Sequence, residues 1–192
     1  MRPDRSRGVT LVELIVFIVI VGVAMAGLFA AFNTITAASA DPQVRKQVLA
    51  IAEALMEEIQ LKPFTYCDPD DTNAATATST AGCAVASNNE NLTLGAEGTE
   101  TRSNAADPFD NVSDYHGLDM NPGNGGIKDI TGTGIAGLEQ YSAIVTITRA
   151  GTALGLAADE EALKISVVVS HPNGTSITLE GYRTRYAPNT LP

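Results

Sequence analysis

The chain has no tryptophan, only two histidines and two cysteines among 192 residues, and 5% aromatic residues. His116 and His171 are too few and too isolated for an imidazole-rich metal centre, and neither stands in a base–nucleophile pattern. There is no nucleophile elbow, metalloprotease motif or phosphate loop, so the sequence does not read as an enzyme and implies no cofactor. Positive charge is scarce as well. Lys and Arg number 12 against 22 Asp and Glu, a net charge of −10, which disfavours nucleic acid as a partner. Charge of either sign is missing from Leu14 to Phe32, a run of 19 residues.

That uncharged run is the most informative part of the chain. From Val9 to Phe32 only Thr10 and Glu13 are clearly polar. A helix of that length reaches about 36 Å, against about 30 Å for a bilayer core. It is apolar on all sides, which argues against a buried helix of a soluble protein. A carboxylate at the bilayer centre costs roughly 2.5–3.5 kcal/mol. Glu13 lies about 6 Å along the axis from Val9, near the interface, where the cost is smaller. A cation at the same depth would relieve it. The α-amino group of Val9 on a neighbouring chain could serve, provided the chain is cut after Gly8. Arg2, Arg5 and Arg7 against Asp4 give a positive cytoplasmic flank, so the remainder is expected outside the cytoplasm. Loss of residues 1–8 would leave 9 basic and 21 acidic residues, a net charge of −12. Gly22, Ala26 and Ala30 form a small-residue stripe that lets another helix approach closely.

A short basic leader ending in Gly8, then Val9-Thr10-Leu11-Val12-Glu13 and an apolar helix, resembles the class III signal of type IV pilins and type II secretion pseudopilins. The resemblance implies that a prepilin peptidase cuts between Gly8 and Val9 and that Val9 becomes the N-methylated terminus. It also implies that Glu13 pairs with the terminal amine of an adjacent subunit. The chain departs from the family in having Val9 where Phe is usual, and in having Ala30 where many major pilins place proline. Later patches are similar to the MshD-type minor pilins of mannose-sensitive haemagglutinin (MSHA) pili. They are Asp41-Pro42, Ala52-Glu53-Ala54, Glu57-Glu58-Ile59, Lys62-Pro63-Phe64, Asp114-Tyr115-His116-Gly117-Leu118, His171-Pro172 and Gly181 to Tyr186. This branch implies a minor pilin that acts in pilus assembly or priming. Its partners would be the peptidase, the inner membrane, and other major and minor pilins met through the N-terminal helix. Its path would run from inner membrane to pilus and cell surface. A type II secretion pseudopilin is the alternative within the superfamily. Outside it stand an uncleaved anchor and a secreted or anchored binding module cut after Ala40, since Ala38-Ser39-Ala40 is an A-x-A site.

The expected fold is α+β, a long N-terminal helix packed on a C-terminal antiparallel sheet. Five segments are expected: a cleaved leader, 1–8; a transmembrane and filament-core helix, 9–32; its amphipathic continuation, 33–62; an acidic irregular region with a disulfide, 63–137; and the sheet, 138–192. Val44, Val48, Ile51, Leu55 and Ile59 define one helical face, widened by Leu49, Ala52 and Met56. Asp41-Pro42 marks a kink or a fresh helix start, and Lys62-Pro63 ends the helix. Tyr141 to Arg149 and Leu163 to Ser170 alternate as strands. Asn173-Gly174 is a hairpin signal, followed by a return strand through Ile177 and Leu179 with a bulge expected at Gly181. In an oxidising compartment Cys67 and Cys83 read as a disulfide.

Other motifs carry less. Gly132 to Gly137 matches G-x-G-x-x-G but lacks the strand before and helix after that a dinucleotide site needs, so it reads as a loop. Asp119 to Gly125 fails the calcium-loop spacing. Asp68, Asp70 and Asp71, or Asp107, Asp110 and Asp114, could bind calcium, but solvated acidic loops are the favoured reading and no metal site is assigned. Arg183 and Arg185 read as a solvated strand face.

Overall fold

The structure is a computed structural model that describes residues 10–90 and 94–190. Gly8, Val9 and the leader arginines lie outside the described residues. The chain divides into two compact units, Met1–Gln43 and Val44–Pro192. One helix, α1 (Leu11–Gln60), contributes to both and continues through Pro42.

In the first unit Thr10 stands immediately before α1. The Thr10 hydroxyl accepts from the Glu13 N–H at 3.3 Å, and its carbonyl accepts from Leu14 N–H at 3.1 Å. A threonine hydroxyl taking the third helical N–H is the arrangement of an N-cap. In the second unit one face of α1 is buried through Val48, Ile51, Ala52, Leu55, Met56 and Ile59, the periodicity read from the sequence. Leu49, expected to widen that face, is exposed.

This face packs on a four-stranded antiparallel sheet in the order β1 (Asp119–Met120), β2 (Ser142–Arg149), β3 (Ala162–Ser170) and β4 (Ser176–Thr184). Alternation selects the inner side chains: Ala143, Val145 and Ile147 from β2, and Leu163, Ile165, Val167 and Val169 from β3, all buried. Fully burying an aliphatic side chain stabilises by roughly 1.5–3 kcal/mol. The Tyr141 hydroxyl also hydrogen-bonds Gln47 of the helix. The β3–β4 hairpin closes where His171 N–H donates to the Thr175 carbonyl at 2.9 Å, with Gly174 at φ 91°. That backbone conformation is open to glycine and suits the Asn-Gly turn.

Gly181 is not a bulge. β3 and β4 pair without interruption from Ala162↔Thr184 to Ser170↔Ser176, with Ile165 opposite Gly181. The glycine instead admits the helix: a Cβ there would lie 2.8 Å from Gln60 Nε2 and 2.9 Å from Met56 Sδ. The expected solvated arginines are also corrected. Arg185 Nε donates to the Thr65 carbonyl at 3.1 Å, and its guanidinium lies 4.0 Å from the Phe64 ring centroid. Arg183 Nη2 donates to the Lys62 carbonyl at 3.0 Å. Both arginines therefore clip the end of β4 to the chain leaving α1.

The region from Pro63 to Gly137 is built from short turns: Thr80–Gly82, Ala86–Asn88, Ser113–Tyr115 and Pro122–Asn124. It also contributes β1, whose Met120 is buried against the core. The Asp119 to Gly125 segment is a structural turn in which Asn121 and Asn124 cap one another's backbone. The glycine-rich stretch is a loop in which Gly134 bridges to Lys128, and β2 rather than a helix follows.

Candidate functional site

Two places concentrate chemistry, one in each unit. The first is the head of α1. Leu11–Phe32 has a mean hydropathy of 2.9, none of it is buried, and its length and composition suffice to cross a membrane. Phe17 and Phe29 are 65% and 68% exposed. Exposed apolar surface on this scale marks a lipid or protein contact. Glu13 sits in the first turn, also exposed, as the one acid of this stretch. At Gly22, and separately at Gly27 about 140° further round the helix, an added Cβ would meet nothing within 4 Å.

The second place lies in the globular unit, in the region between α1 and the sheet in sequence. Cys67 and Cys83 form a disulfide. Asp71 secures the loop it closes by accepting the N–H groups of Asn73, Ala84 and Val85 at 2.8, 2.9 and 3.0 Å. Burial raises the Asp71 pKa, but these three donors outweigh it and leave the carboxyl below its ordinary range.

Next to this loop six carboxylates converge. Oxygens of Asp68, Glu100 and Asp110 lie within 4.8 Å of one another. The same holds for Asp68, Glu90 and Glu97, and for Glu97, Glu100 and Asp114. Asp68, Glu90 and Asp114 are buried. Some local donors are present. Asp114 Oδ2 accepts from Asn111 N–H at 2.6 Å and Asp110 N–H at 2.9 Å, Asp68 Oδ1 accepts from Asp70 N–H at 2.6 Å, and Ser113 donates to Glu90 Oε2. Glu90 Oε1, both Glu97 oxygens, Asp110 Oδ1 and Asp114 Oδ1 find no donor among the described residues.

The electrostatic consequence is that protonation is favoured. Burial, then the charges of Asp114 and Glu97, push Glu90 up to about 10. Burial with Asp114 and Asp68 raises Glu97 to about 8, and burial with Asp114 and a hydrogen bond to Asp68 raises Glu100 to about 9. Asp110 rises to about 7 through burial and the charges of Asp68 and Asp114. Asp114 rises to about 6, its burial exceeding the effect of its two backbone donors.

The acids named from sequence thus separate. Asp68, Asp110 and Asp114 enter the pocket, so the solvated-loop reading does not hold for them. Asp71 braces the disulfide loop and Asp70 is exposed. Asp107 accepts from the Thr99 hydroxyl at 2.6 Å. Glu90, Glu97 and Glu100 were not anticipated, because their spacing matches no ligand motif and only the fold brings them to Asp68. The histidines are structural contacts. His116 Nδ1 accepts from Ile147 N–H at 3.1 Å, and the His171 ring lies 4.7 Å from that of Tyr141.

Comparison with known proteins gives one family match, the prokaryotic N-terminal methylation motif, over residues 3–29. No curated protein and no solved structure matches the chain. The matched segment includes Gly8, Val9 and Glu13 and overlaps the apolar head of α1. Together, the motif and the exposed apolar helix packed onward into an α+β unit support a membrane-anchored subunit of the type IV pilin-like superfamily, a pilin or pseudopilin.

Proposed function

We propose that this chain is a minor pilin of a type IV pilus of the MSHA kind, acting in pilus assembly or priming as a structural subunit and not an enzyme. The observation that carries the reading is Glu13 in the first turn of α1, at the head of the exposed apolar stretch Leu11–Phe32 and within the methylation motif. A lone carboxylate at the mouth of a membrane helix costs less than one at the bilayer centre, and a cation at the same depth would relieve what remains. Cleavage between Gly8 and Val9 creates an α-amine about one helical turn away on the same axis, which a neighbouring subunit can offer to Glu13. The small-residue stripe of Gly22, Ala26 and Ala30 would then permit the close helix contacts of a filament core. In this reading Val9 is the N-methylated residue. The subunit starts in the inner membrane with its N-terminus cytoplasmic and its globular unit periplasmic, and ends in the pilus. Its partners are the prepilin peptidase and other pilins.

The test is the N-terminus and intact mass of the protein recovered from membranes and from sheared pili. A start at Val9, with one added methyl group, and recovery in the pilus fraction support the reading. A start at Asp41 makes it an exported module, and an intact Met1 makes it a plain anchor. Recovery of a Val9-started form only with secretion components would make it a type II secretion pseudopilin.

A further inference from the structure

We propose that the pocket formed by Asp68, Glu90, Glu97, Glu100, Asp110 and Asp114 is a calcium-binding site that holds the region between α1 and the sheet in its folded form.

Three independent observations converge on this. The first is geometric. Each of the three groupings of carboxylate oxygens spans no more than 4.8 Å, and the groupings share Asp68, Glu97 and Glu100 as common members. Calcium–oxygen bonds run about 2.3–2.6 Å, so oxygens about 4.8 Å apart can bind one ion between them. The second is the state of the oxygens. Glu90 and Asp114 are each 1% exposed, yet each has one carboxylate oxygen that meets no donor among the described residues, and neither Glu97 oxygen meets one there. Buried charge is tolerated when it is paired or coordinates a metal. Neither described salt bridge, Arg102–Glu58 or Lys164–Glu180, includes any of the six. The third is chain connectivity. The six residues lie on separated stretches that otherwise form only short turns, and Asp68 follows Cys67, so the disulfide anchors one wall of the pocket.

The donor set selects the ion. All donors are carboxylate oxygens, which suit a hard cation. Zinc and copper prefer sites with imidazole or thiolate, and both cysteines are spent in the disulfide. Many carboxylates on irregular chain favour calcium, which accepts six to eight ligands in flexible geometry. Magnesium demands a near-ideal octahedron and keeps its waters. The pocket is also distinct from the head of α1, so the inference stands or falls independently of how the N-terminus is processed.

The competing explanation is that shared protons alone neutralise the pocket. Titration of the full chain in neutral detergent, after treatment with chelator at pH 7.5, separates the two. With a dissociation constant near 10⁻⁴ M, in the range of extracellular modules, 10 mM calcium should raise the melting temperature by about 5–10 °C. Magnesium at the same concentration should give a much smaller shift, and calorimetry should detect saturable calcium binding. Glu97→Gln and Glu100→Gln should each weaken calcium binding at least tenfold. Glu53→Gln, on the exposed side of α1, should leave it unchanged. Glu97→Gln removes no side-chain hydrogen bond made among the described residues, so the variant is expected to fold. If it does not, the wild-type calorimetry still decides. No heat and no thermal shift with calcium, an equal response to magnesium, or an undiminished response in both pocket variants would each overturn the proposal.

Discussion

Arg102→Ala is the substitution whose consequence the structure defines most closely. The Arg102 guanidinium makes four hydrogen bonds. Nε and Nη2 grip Glu58 Oε1 and Oε2 at 2.8 and 2.7 Å, and Nη1 donates to the Lys128 and Asp129 carbonyls at 3.0 and 2.8 Å. The two side chains are 12% and 20% exposed, so the pair is largely but not wholly withdrawn from water. Removing the arginine leaves Glu58 with the Tyr115 hydroxyl, at 2.8 Å, and the more distant charge of Lys62. Breaking a fully buried pair costs about 3–5 kcal/mol. Partial rehydration of Glu58 brings the expected loss to about 2–3 kcal/mol. For a unit of this size that is a fall in melting temperature of about 5–10 °C.

The sign with pH is defined as well. Burial raises the Glu58 pKa, but the hydrogen bonds of Arg102 and Tyr115 and the charge of Arg102 outweigh it, leaving the carboxyl below its ordinary value of 4.5. A group whose folded pKa is depressed contributes stability that is fully present above the unfolded value and is lost as pH falls through the folded one. The gap between wild type and Arg102→Ala should therefore be constant near neutrality and close progressively below about pH 4.5. Urea unfolding followed by circular dichroism, with Glu58→Gln completing a double-mutant cycle, measures it. A loss under about 0.5 kcal/mol at pH 7, or a gap that does not narrow in acid, would refute the reasoning.

Two further outcomes are expected. Replacing Cys67 and Cys83 together by serine opens a loop of sequence separation 16, which corresponds to about 3 kcal/mol of chain entropy; a change in urea-derived stability below about 1 kcal/mol would contradict this. Glu13→Ala should leave the leader cut but lower recovery of this subunit in sheared filaments at least tenfold by quantitative immunoblot, and undiminished recovery would rule out the pairing role.

The elements that were legible in the sequence are those in which burial repeats. Val48, Ile51, Leu55 and Ile59 recur with the helical period because one face of α1 meets the sheet. Val145, Ile147, Ile165 and Val167 alternate because one side of each strand does. β1 has two residues, too few for alternation to register, and was hidden in what reads as loop. Arg183 and Arg185 were misplaced although the signal was present. Continuing the alternation of Ile177 and Leu179 past Gly181 puts both on the inner side, where the backbone carbonyls after α1 receive them. Adjacent Glu57 and Glu58 look alike in sequence, yet only Glu58 meets Arg102, a partner 44 residues away. The acidic pocket was half legible. Local density of Asp pointed to Asp68, Asp110 and Asp114, whereas Glu90, Glu97 and Glu100 reach them only through the turns that fold the region.

The seat of α1 at Gly181 has a mechanical consequence. The ends of the Met56 and Gln60 side chains occupy the space that any other residue's Cβ would fill, so helix and sheet approach closely at that point. Sliding α1 by one turn, about 5.4 Å, would drive these side chains off the notch and against the flanking inward residues of β4, Leu179 and Arg183. Tension entering the globular unit through α1 would therefore load the interface in shear, resisted by the whole buried face of the helix from Val48 to Ile59, with the close seat at Gly181 as one part of it.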